Sequence, residues 1–136
     1  MEFLGKKTAA VAQPVRTTRQ RGALAEDRAL AHLQAAGLRL LERNYRTPGR
    51  GGGEIDLVMR APDGTLLFVE VRARSGAAQG GAAATVGHVK QRRLVHAAQH
   101  YLMQHATPPP CRFDVVAIDG DRIEWLRAAF DDTPPR

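Results

Sequence analysis

The stretch GGGEIDLVMRAPDGTLLFVEVRAR (residues 51–74) decides the fold, because it predicts two strands joined by a tight turn. Pro62 suits the start of a type I turn, and Gly64 suits the left-handed position that closes a three-residue loop. With a loop of that length, Ala61 faces Thr65 across the hairpin. The turn therefore predicts which residues of the two strands lie opposite each other.

The same register brings acidic residues together: Asp56 lies opposite Glu70, and Glu54 lies opposite Arg72. Two ionised carboxylates directly across a strand pair repel each other, and burying them is costly unless something pairs with them. A hard divalent cation such as Mg²⁺ between them would relieve the repulsion, since it prefers carboxylate oxygens and keeps several waters. Protonation of one carboxyl is an alternative, and an ordinary solvent-facing strand with surface charges is another.

Alternation along the first strand of the hairpin predicts the residues on its two faces. Glu54, Asp56 and Val58 are expected on one face. Ile55 is expected with Leu57 and Met59 on the other face. On the second strand, Glu70 and Arg72 are expected to share a face with Leu66 and Phe68. Apolar residues on both faces of both strands indicate a sheet that is covered on both sides.

A third acid lies in the predicted first helix, within RGALAEDRALAHLQAAGLRLL (residues 21–41), which Gly37 is expected to end. Heptad spacing places Glu26 on the stripe that faces the sheet, together with Ala23, Leu30 and Leu33. A glutamate near a helix N-terminus is also favourable with the helix dipole, so both explanations stay open. Glu26, Asp56 and Glu70 could converge on one cation, with Lys90 or Arg72 nearby.

The remaining elements follow from periodicity and from breakers. We expect strands over 38–46, 112–119 and 122–126, a helix over 88–105, a glycine-rich loop over 47–53 and a small-residue connection over 75–87. Both helices have an apolar stripe to bury, which predicts an α/β fold with an α+β-like mixed sheet flanked by helices. Residues 18–130 are expected to form a single domain between a flexible basic arm (1–17) and a tail (131–136).

The length, net charge and cysteine count of the chain set limits on the class of protein. A chain of 136 residues fits one domain with a modest core, and its formal net charge of +6 favours a polyanionic partner. Cys111 is the only cysteine, which excludes an intramolecular disulfide and a cysteine-based metal site. No stretch approaches the roughly 20 apolar residues that cross a bilayer, and the start offers no signal-peptide core. We therefore expect a cytoplasmic protein with no membrane partner.

Basic residues near the start of the second helix form a candidate nucleic-acid surface. Lys90, Arg92 and Arg93 are close together there, and Arg21 adds a cation from the first helix. They could contact phosphates, although a solvated helix face explains the same pattern. Asp114 is expected to be structural, paired with a cation such as Arg112 or Lys90.

These motifs together resemble one family. GEIDLV (53–58) followed by FVEVR (68–72), with the helix–strand segment before them and RFDVVAI (112–118) after them, is similar to the YraN family of small bacterial proteins. That family looks like a branch of the PD-(D/E)XK nuclease superfamily, similar in layout to archaeal Holliday-junction resolvases. The similarity runs from about residue 20 to residue 130. GEID alone is a weak signal, but its combination with an acid-x-basic strand at hairpin distance is specific.

The resemblance implies a restriction-endonuclease-like core that holds Mg²⁺ or Mn²⁺ and hydrolyses phosphodiester bonds. The positions that match the metal-binding motif are Glu26, Asp56 and Glu70, together with the backbone carbonyl of Val71. Analogy with resolvases suggests branched DNA as the substrate, with DNA favoured over RNA, and a two-fold homodimer.

This sequence departs from the superfamily motif at Arg72, where the motif has lysine. Arginine stays protonated at physiological pH, so it cannot be a general base, but it can stabilise charge that develops on a phosphate. Lys90 is an alternative source of an amine. One hypothesis is therefore an endonuclease with Asp56, Glu70, Arg72, Glu26 and Lys90 as catalytic residues. The other is a nucleic-acid-binding module that keeps the fold without turnover.

Overall fold

The computed structural model describes residues 17–49, 52–74 and 86–131. Most of the predicted basic arm, connection and tail lies outside these ranges. The described elements are helices α1 (Thr18–Ala35) and α2 (His88–Leu102) and strands β1 (Arg39–Arg46), β2 (Glu54–Arg60), β3 (Leu66–Arg74), β4 (Cys111–Asp119) and β5 (Arg122–Phe130). Their order along the chain is the predicted one.

The five strands form one sheet in the order β1-β2-β3-β4-β5. Neighbouring strands are antiparallel except β3 and β4, which are parallel. A parallel pair needs a long crossover connection, and α2 lies within it. The expectation of a mixed sheet flanked by helices is confirmed.

Each helix packs against its own face of the sheet. The α2 face contains Phe68 on β3 and Val115 on β4, packed with Leu94 and Tyr101 of the helix.

The α1 face is a second apolar cluster. Three residues of the helix pack on apolar side chains of the strands: Ala25, Ala29 and Leu33 lie against residues that include Leu57, Met59, Leu67 and Val69. Every strand in the middle of the sheet is therefore buried on both sides, as its continuous apolar sequence requires.

The hairpin has the predicted register. Leu57 pairs with Val69 and continues the ladder that starts from the turn. In the turn, the amide of Ala61 donates to the carbonyl of Thr65 at 2.9 Å, and Gly64 has a φ of 94°. The left-handed residue that a three-residue loop needs is thus supplied by glycine.

The buried stripe of α1 differs from the expected one. Ala25 and Ala29 are buried, whereas Ala23 is exposed and Glu26 lies at the border of the stripe with 16% of its side chain exposed. The helix begins after Thr17, whose side chain accepts from the amide of Gln20 in a capping box. Small residues four apart allow the helix to approach the sheet closely, and this spacing decides which side faces inwards.

Strand β5 is longer than the expected 122–126, because a bulge carries it to Phe130. The bulge contains Ala128, with a φ of 50° and a backbone amide that donates to the Asp114 carboxylate at 2.9 Å. Asp114 is fully buried and also accepts from Arg112 at 3.0 Å and from the Trp125 indole at 2.8 Å. Its structural role is confirmed, with Arg112 as its cation.

The first residue of the GEID motif is a glycine for a packing reason. A Cβ at Gly53 would collide with the backbone carbonyl of Arg93 in α2. The Gly53 amide donates to the Thr47 hydroxyl at 2.8 Å, and the Thr47 amide donates to the Gly53 carbonyl at 3.1 Å. The start of β2 is therefore pressed against α2 and fixed to the end of β1 at the same point.

We predict that Gly53→Ala lowers the free energy of unfolding by about 2 to 3 kcal/mol, because either β2 or α2 must move to admit the methyl group. Gly22→Ala is the matched control, since Gly22 lies in α1 with open space around it. That change should raise stability by roughly 0.5 to 1 kcal/mol through helix propensity. Urea unfolding followed by the fluorescence of Trp125 measures both, and equal effects of the two changes would contradict the packing argument.

Candidate functional site

Strand β3 carries Glu70 into the interior on the α2 face, beyond Phe68. The residue is 3% exposed, so its carboxylate has lost most of its contact with water. Burial of an ionised carboxylate is unfavourable unless nearby groups compensate for the lost hydration. The partners of Glu70 therefore define the candidate site.

Two cations approach the same oxygen of Glu70. The Lys90 ammonium lies 3.4 Å from Oε2, and the Arg72 guanidinium lies 3.5 Å from it. The other oxygen, Oε1, is buried and has no hydrogen-bond partner among the described residues. A buried carboxylate oxygen without a partner costs on the order of 1 to 3 kcal/mol, which makes it a candidate ligand for a cation or a water.

Asp56 lies beside Glu70, as the hairpin register predicts. Its Oδ2 accepts from the backbone amide of Val71 at 2.8 Å. Burial and the negative charge of Glu70 raise the pKa of Asp56 to about 7, and a hydrogen bond to Glu70 in the protonated form adds to the rise. The backbone bond from Val71 and the charge of Lys90 oppose the rise without cancelling it.

Glu26 stands next to this pair rather than within it. Arg43 of β1 holds its carboxylate through a contact of 3.3 Å. Burial raises the pKa of Glu26, and the charge of Asp56 raises it further. Among the described residues, no three acidic, histidine or cysteine side chains lie close enough together to hold a metal ion. The expected convergence of three carboxylates is thus not formed, because Glu26 belongs to the helix on the other face.

The alternation of β2 is interrupted at Asp56, so the expectation that Ile55 shares a face with Leu57 is wrong. Ile55 packs in the α2 cluster, and Leu57 packs in the α1 cluster. The interruption lies beside Asn44 of β1, which has a φ of 56°. With its amide oriented to satisfy both neighbours, Asn44 donates to Glu26 and to Glu54 at 3.3 Å each.

Arg43 and Asn44 were not among the expected site residues. Both lie in a strand whose sequence alternates weakly, and their roles depend on the position of α1 relative to β1. Asn44 carries the one usable signal, since asparagine tolerates the left-handed conformation better than most residues. Neither contact could be placed without the tertiary structure.

A cavity of about 440 Å³ opens beside the acid pair, between the end of β1, the start of β2 and α2. Among the described residues, its lining contains three cations and one acid, together with small, hydroxyl and apolar residues: Arg46, Lys90, Arg93, Glu54, Thr47, Gly49, Gly52, Gly53 and Leu94. Lys90 is shared between this cavity and Glu70. The predicted nucleic-acid residues are therefore divided: Lys90 and Arg93 line the cavity, while Arg92 and Arg21 are exposed outside its lining.

These features define a class: a small α/β domain in which a mixed sheet holds a pair of acids, one of them buried, beside cations. The model of the family described as "Uncharacterised protein family UPF0102" matches residues 25–118, a segment that includes every residue of the acid site. The chain belongs to this family, which is the YraN family that its motifs resemble.

Curated relatives show the same membership. A "UPF0102 protein" of Acidovorax sp. (strain JS42) is 66% identical over 131 residues, which cover 96% of this chain and 98% of the relative. A "UPF0102 protein" of Paracidovorax citrulli is 64% identical, with 96% of this chain and 98% of the relative covered. In the part of the chain that the structure describes, no helix has the length and apolar character needed to span a membrane.

The raised pKa of Asp56 predicts a pH dependence of stability. An acid whose pKa rises on folding binds more protons in the folded state, so stability falls as pH increases from the unfolded value near 3.8 to about 7. Without divalent cations, the free energy of unfolding of the wild type should fall between pH 5 and pH 8 by about 1 kcal/mol more than that of Asp56→Asn. This magnitude is about half of the linkage value for that pH range, which is roughly 2.6 kcal/mol, because Asp56 is partly exposed.

The amide in Asp56→Asn can accept from Val71 and donate to Glu70, as the protonated acid does. Asp121→Asn in the exposed β4–β5 turn is the matched control and should follow the wild type. Urea unfolding at each pH checks the prediction. Parallel curves for the wild type and Asp56→Asn would show that Asp56 does not titrate in this range.

Proposed function

We propose that this protein is a Mg²⁺- or Mn²⁺-dependent nuclease that hydrolyses phosphodiester bonds in DNA. The observation that carries the proposal is the acid pair of half-buried Asp56 and buried Glu70, in which Glu70 Oε1 has no described partner and two cations lie on Oε2. Burial and the charge of Glu70 raise the pKa of Asp56, and acids whose pKa is shifted in this way are frequent at catalytic sites.

The donor set fits a hard divalent cation. Mg²⁺ is commonly bound through one or two carboxylates plus waters and substrate phosphates, so two protein carboxylates suffice. Asp56 and Glu70 would hold the ion together with the carbonyl of Val71, and Glu26, the fourth predicted ligand, lies adjacent. When bound, such an ion polarises a phosphoryl oxygen and lowers the pKa of a coordinated water.

The cations of the site have roles that follow from their chemistry. Arg72 stays charged at any working pH, and its planar donors suit the oxygens of a phosphate. From its place beside Glu70 it would stabilise the extra negative charge of the pentavalent transition state. Lys90 has a flexible stem with 45% of its side chain exposed, so its ammonium can reach either Glu70 or a bound phosphate.

The layout of the fold supports the same class of enzyme. The order helix, strand, hairpin, helix, strand, strand is the one expected for the restriction-endonuclease-like core that the motifs resemble. Branched DNA is proposed as the substrate by analogy with resolvases, and a two-fold homodimer would let two sites cut two strands symmetrically. The positive net charge of the chain favours a polyanionic substrate.

Cleavage of labelled four-way-junction, flap, single-stranded and duplex DNA tests the proposal. The wild type should cut at least one substrate with Mg²⁺ or Mn²⁺ and fail to cut with EDTA. Asp56→Asn should lower the rate by roughly 100-fold or more, since it removes an ion ligand. Asp121→Asn should cut like the wild type. Cutting that is the same in Asp56→Asn would overturn the assignment of the site.

A second candidate function is a nucleic-acid-binding module without turnover, and the arginine at position 72 favours it. Under this alternative, the wild type binds DNA in a salt-sensitive way but does not cut it, while Arg72→Lys gains metal-dependent cleavage. Under the nuclease proposal, the wild type already cuts with arginine at position 72, so Arg72→Lys alters the rate of an existing activity and does not create one. One cleavage assay on the two proteins separates these outcomes.

A further inference from the structure

We infer that the cavity beside the acid pair binds an internal phosphate of the nucleic-acid backbone, next to the phosphate that is cut, and that it does so without reading the base. This inference rests on the proposed function for the position of the cut phosphate. It adds a binding site made by Arg46, Arg93 and Lys90, and it sets the substrate class as nucleic acid recognised through its backbone.

Charge is the first argument. Three cations and one acid line the cavity, which leaves a formal charge of +2 among the described lining residues. The acid, Glu54, is already engaged by Arg46, whose Nε lies 3.5 Å from its Oε2. Arginine and lysine around an open cavity are typical of phosphate recognition, because their donors match the oxygens of a phosphate.

The shape and lining of the cavity give the second argument. Glycines 49, 52 and 53 line the cavity with backbone atoms and no side chains, and there is open space around the Cα of Gly49. Among the described lining residues there is no aromatic side chain on which a base could stack. Base stacking supplies much of the affinity for single strands, so a cavity that lacks it is suited to phosphate and sugar.

The third argument is the shared lysine. Lys90 lines the cavity and also lies 3.4 Å from the buried carboxylate of Glu70. A phosphate that Lys90 contacts in the cavity would therefore be separated from the acid pair by the ammonium group of this one lysine. This position is suited to the neighbour of a phosphate that is held at Asp56 and Glu70.

Binding of short, labelled oligothymidylate and oligoadenylate without terminal phosphates tests the inference. Fluorescence anisotropy in EDTA measures binding over a range of salt concentrations, with no cleavage involved. Arg46→Gln and Arg93→Gln should each weaken binding of both sequences by roughly fivefold and reduce the slope of log K against log salt by about 0.7. Glu54→Gln should have the opposite sign and tighten binding by roughly twofold, since it removes the acid from the cavity.

Arg39→Gln is the matched control. Arg39 is an exposed arginine on the same edge strand as Arg46, but at its other end. It should bind as the wild type does at equal ionic strength. Equal losses in Arg39→Gln, Arg46→Gln and Arg93→Gln would overturn the inference, because they would indicate a response to net charge alone. A loss that differs between the two sequences would also overturn it.

A series of oligonucleotides with one neutral methylphosphonate each identifies the phosphate. At one internal position the methylphosphonate should weaken binding by the wild type. It should not weaken binding by Arg93→Gln, because that variant has already lost the side chain that contacts this phosphate. If the methylphosphonate and Arg93→Gln weakened binding additively at every position, the cavity would not be a phosphate site. Because this assay needs no metal and no turnover, it can succeed where the cleavage assay fails, and the two proposals are tested separately.

Discussion

The three-residue turn between β2 and β3 sets the register on which the rest of the structure depends. The bond from the Ala61 amide to the Thr65 carbonyl closes the hairpin, and Gly64 supplies the left-handed residue. A slip of one residue would move every side chain of β3 to the opposite face. Glu70 would then point to the α1 cluster, away from Lys90. A local turn thus determines both the core and the acid site.

Two buried acids in adjacent strands show how environment separates a structural role from a functional one. Asp114 accepts from Arg112, Trp125 and Ala128, so its charge is fully compensated and its bonds hold the bulge of β5. Glu70 has two cations at distances longer than a good hydrogen bond and leaves one oxygen without a described partner. Only the second arrangement leaves room for a ligand, because only there is a buried acceptor still unused.

The parts of the site that could be predicted from sequence are those that local rules control. Turn chemistry and alternation place Asp56 opposite Glu70, and helical periodicity places Lys90 at the start of α2. The position of Glu26 is harder to predict. Heptad spacing places it within the buried stripe of α1, whereas that stripe is centred on Ala25 and Ala29. Small residues at that spacing allow closer packing than the sequence pattern alone reveals.

Other features depend on tertiary packing and carry little local signal. Ala128 is left-handed because the Asp114 carboxylate captures its amide, and no rule for alanine would predict that conformation. Arg43 reaches Glu26 only because α1 crosses β1 at that point. Contacts of this kind join residues that are distant in sequence, and both partners must be placed before either can be assigned a role.

Lys90 connects the two halves of the proposed site through one ammonium group. Without a cation at the acid pair, Glu70 is the stronger attraction, because its carboxylate is buried and in need of compensation. A cation bound at the acid pair would compensate the charge of Glu70 and weaken its attraction for Lys90. The Lys90 ammonium could then contact a phosphate in the cavity. Arg72 cannot make the same exchange, since its guanidinium contacts Glu70 from the same strand and lies outside the cavity lining. A cation that compensates Glu70 in place of Lys90 would therefore strengthen the attraction of the neighbouring cavity for the proposed phosphate.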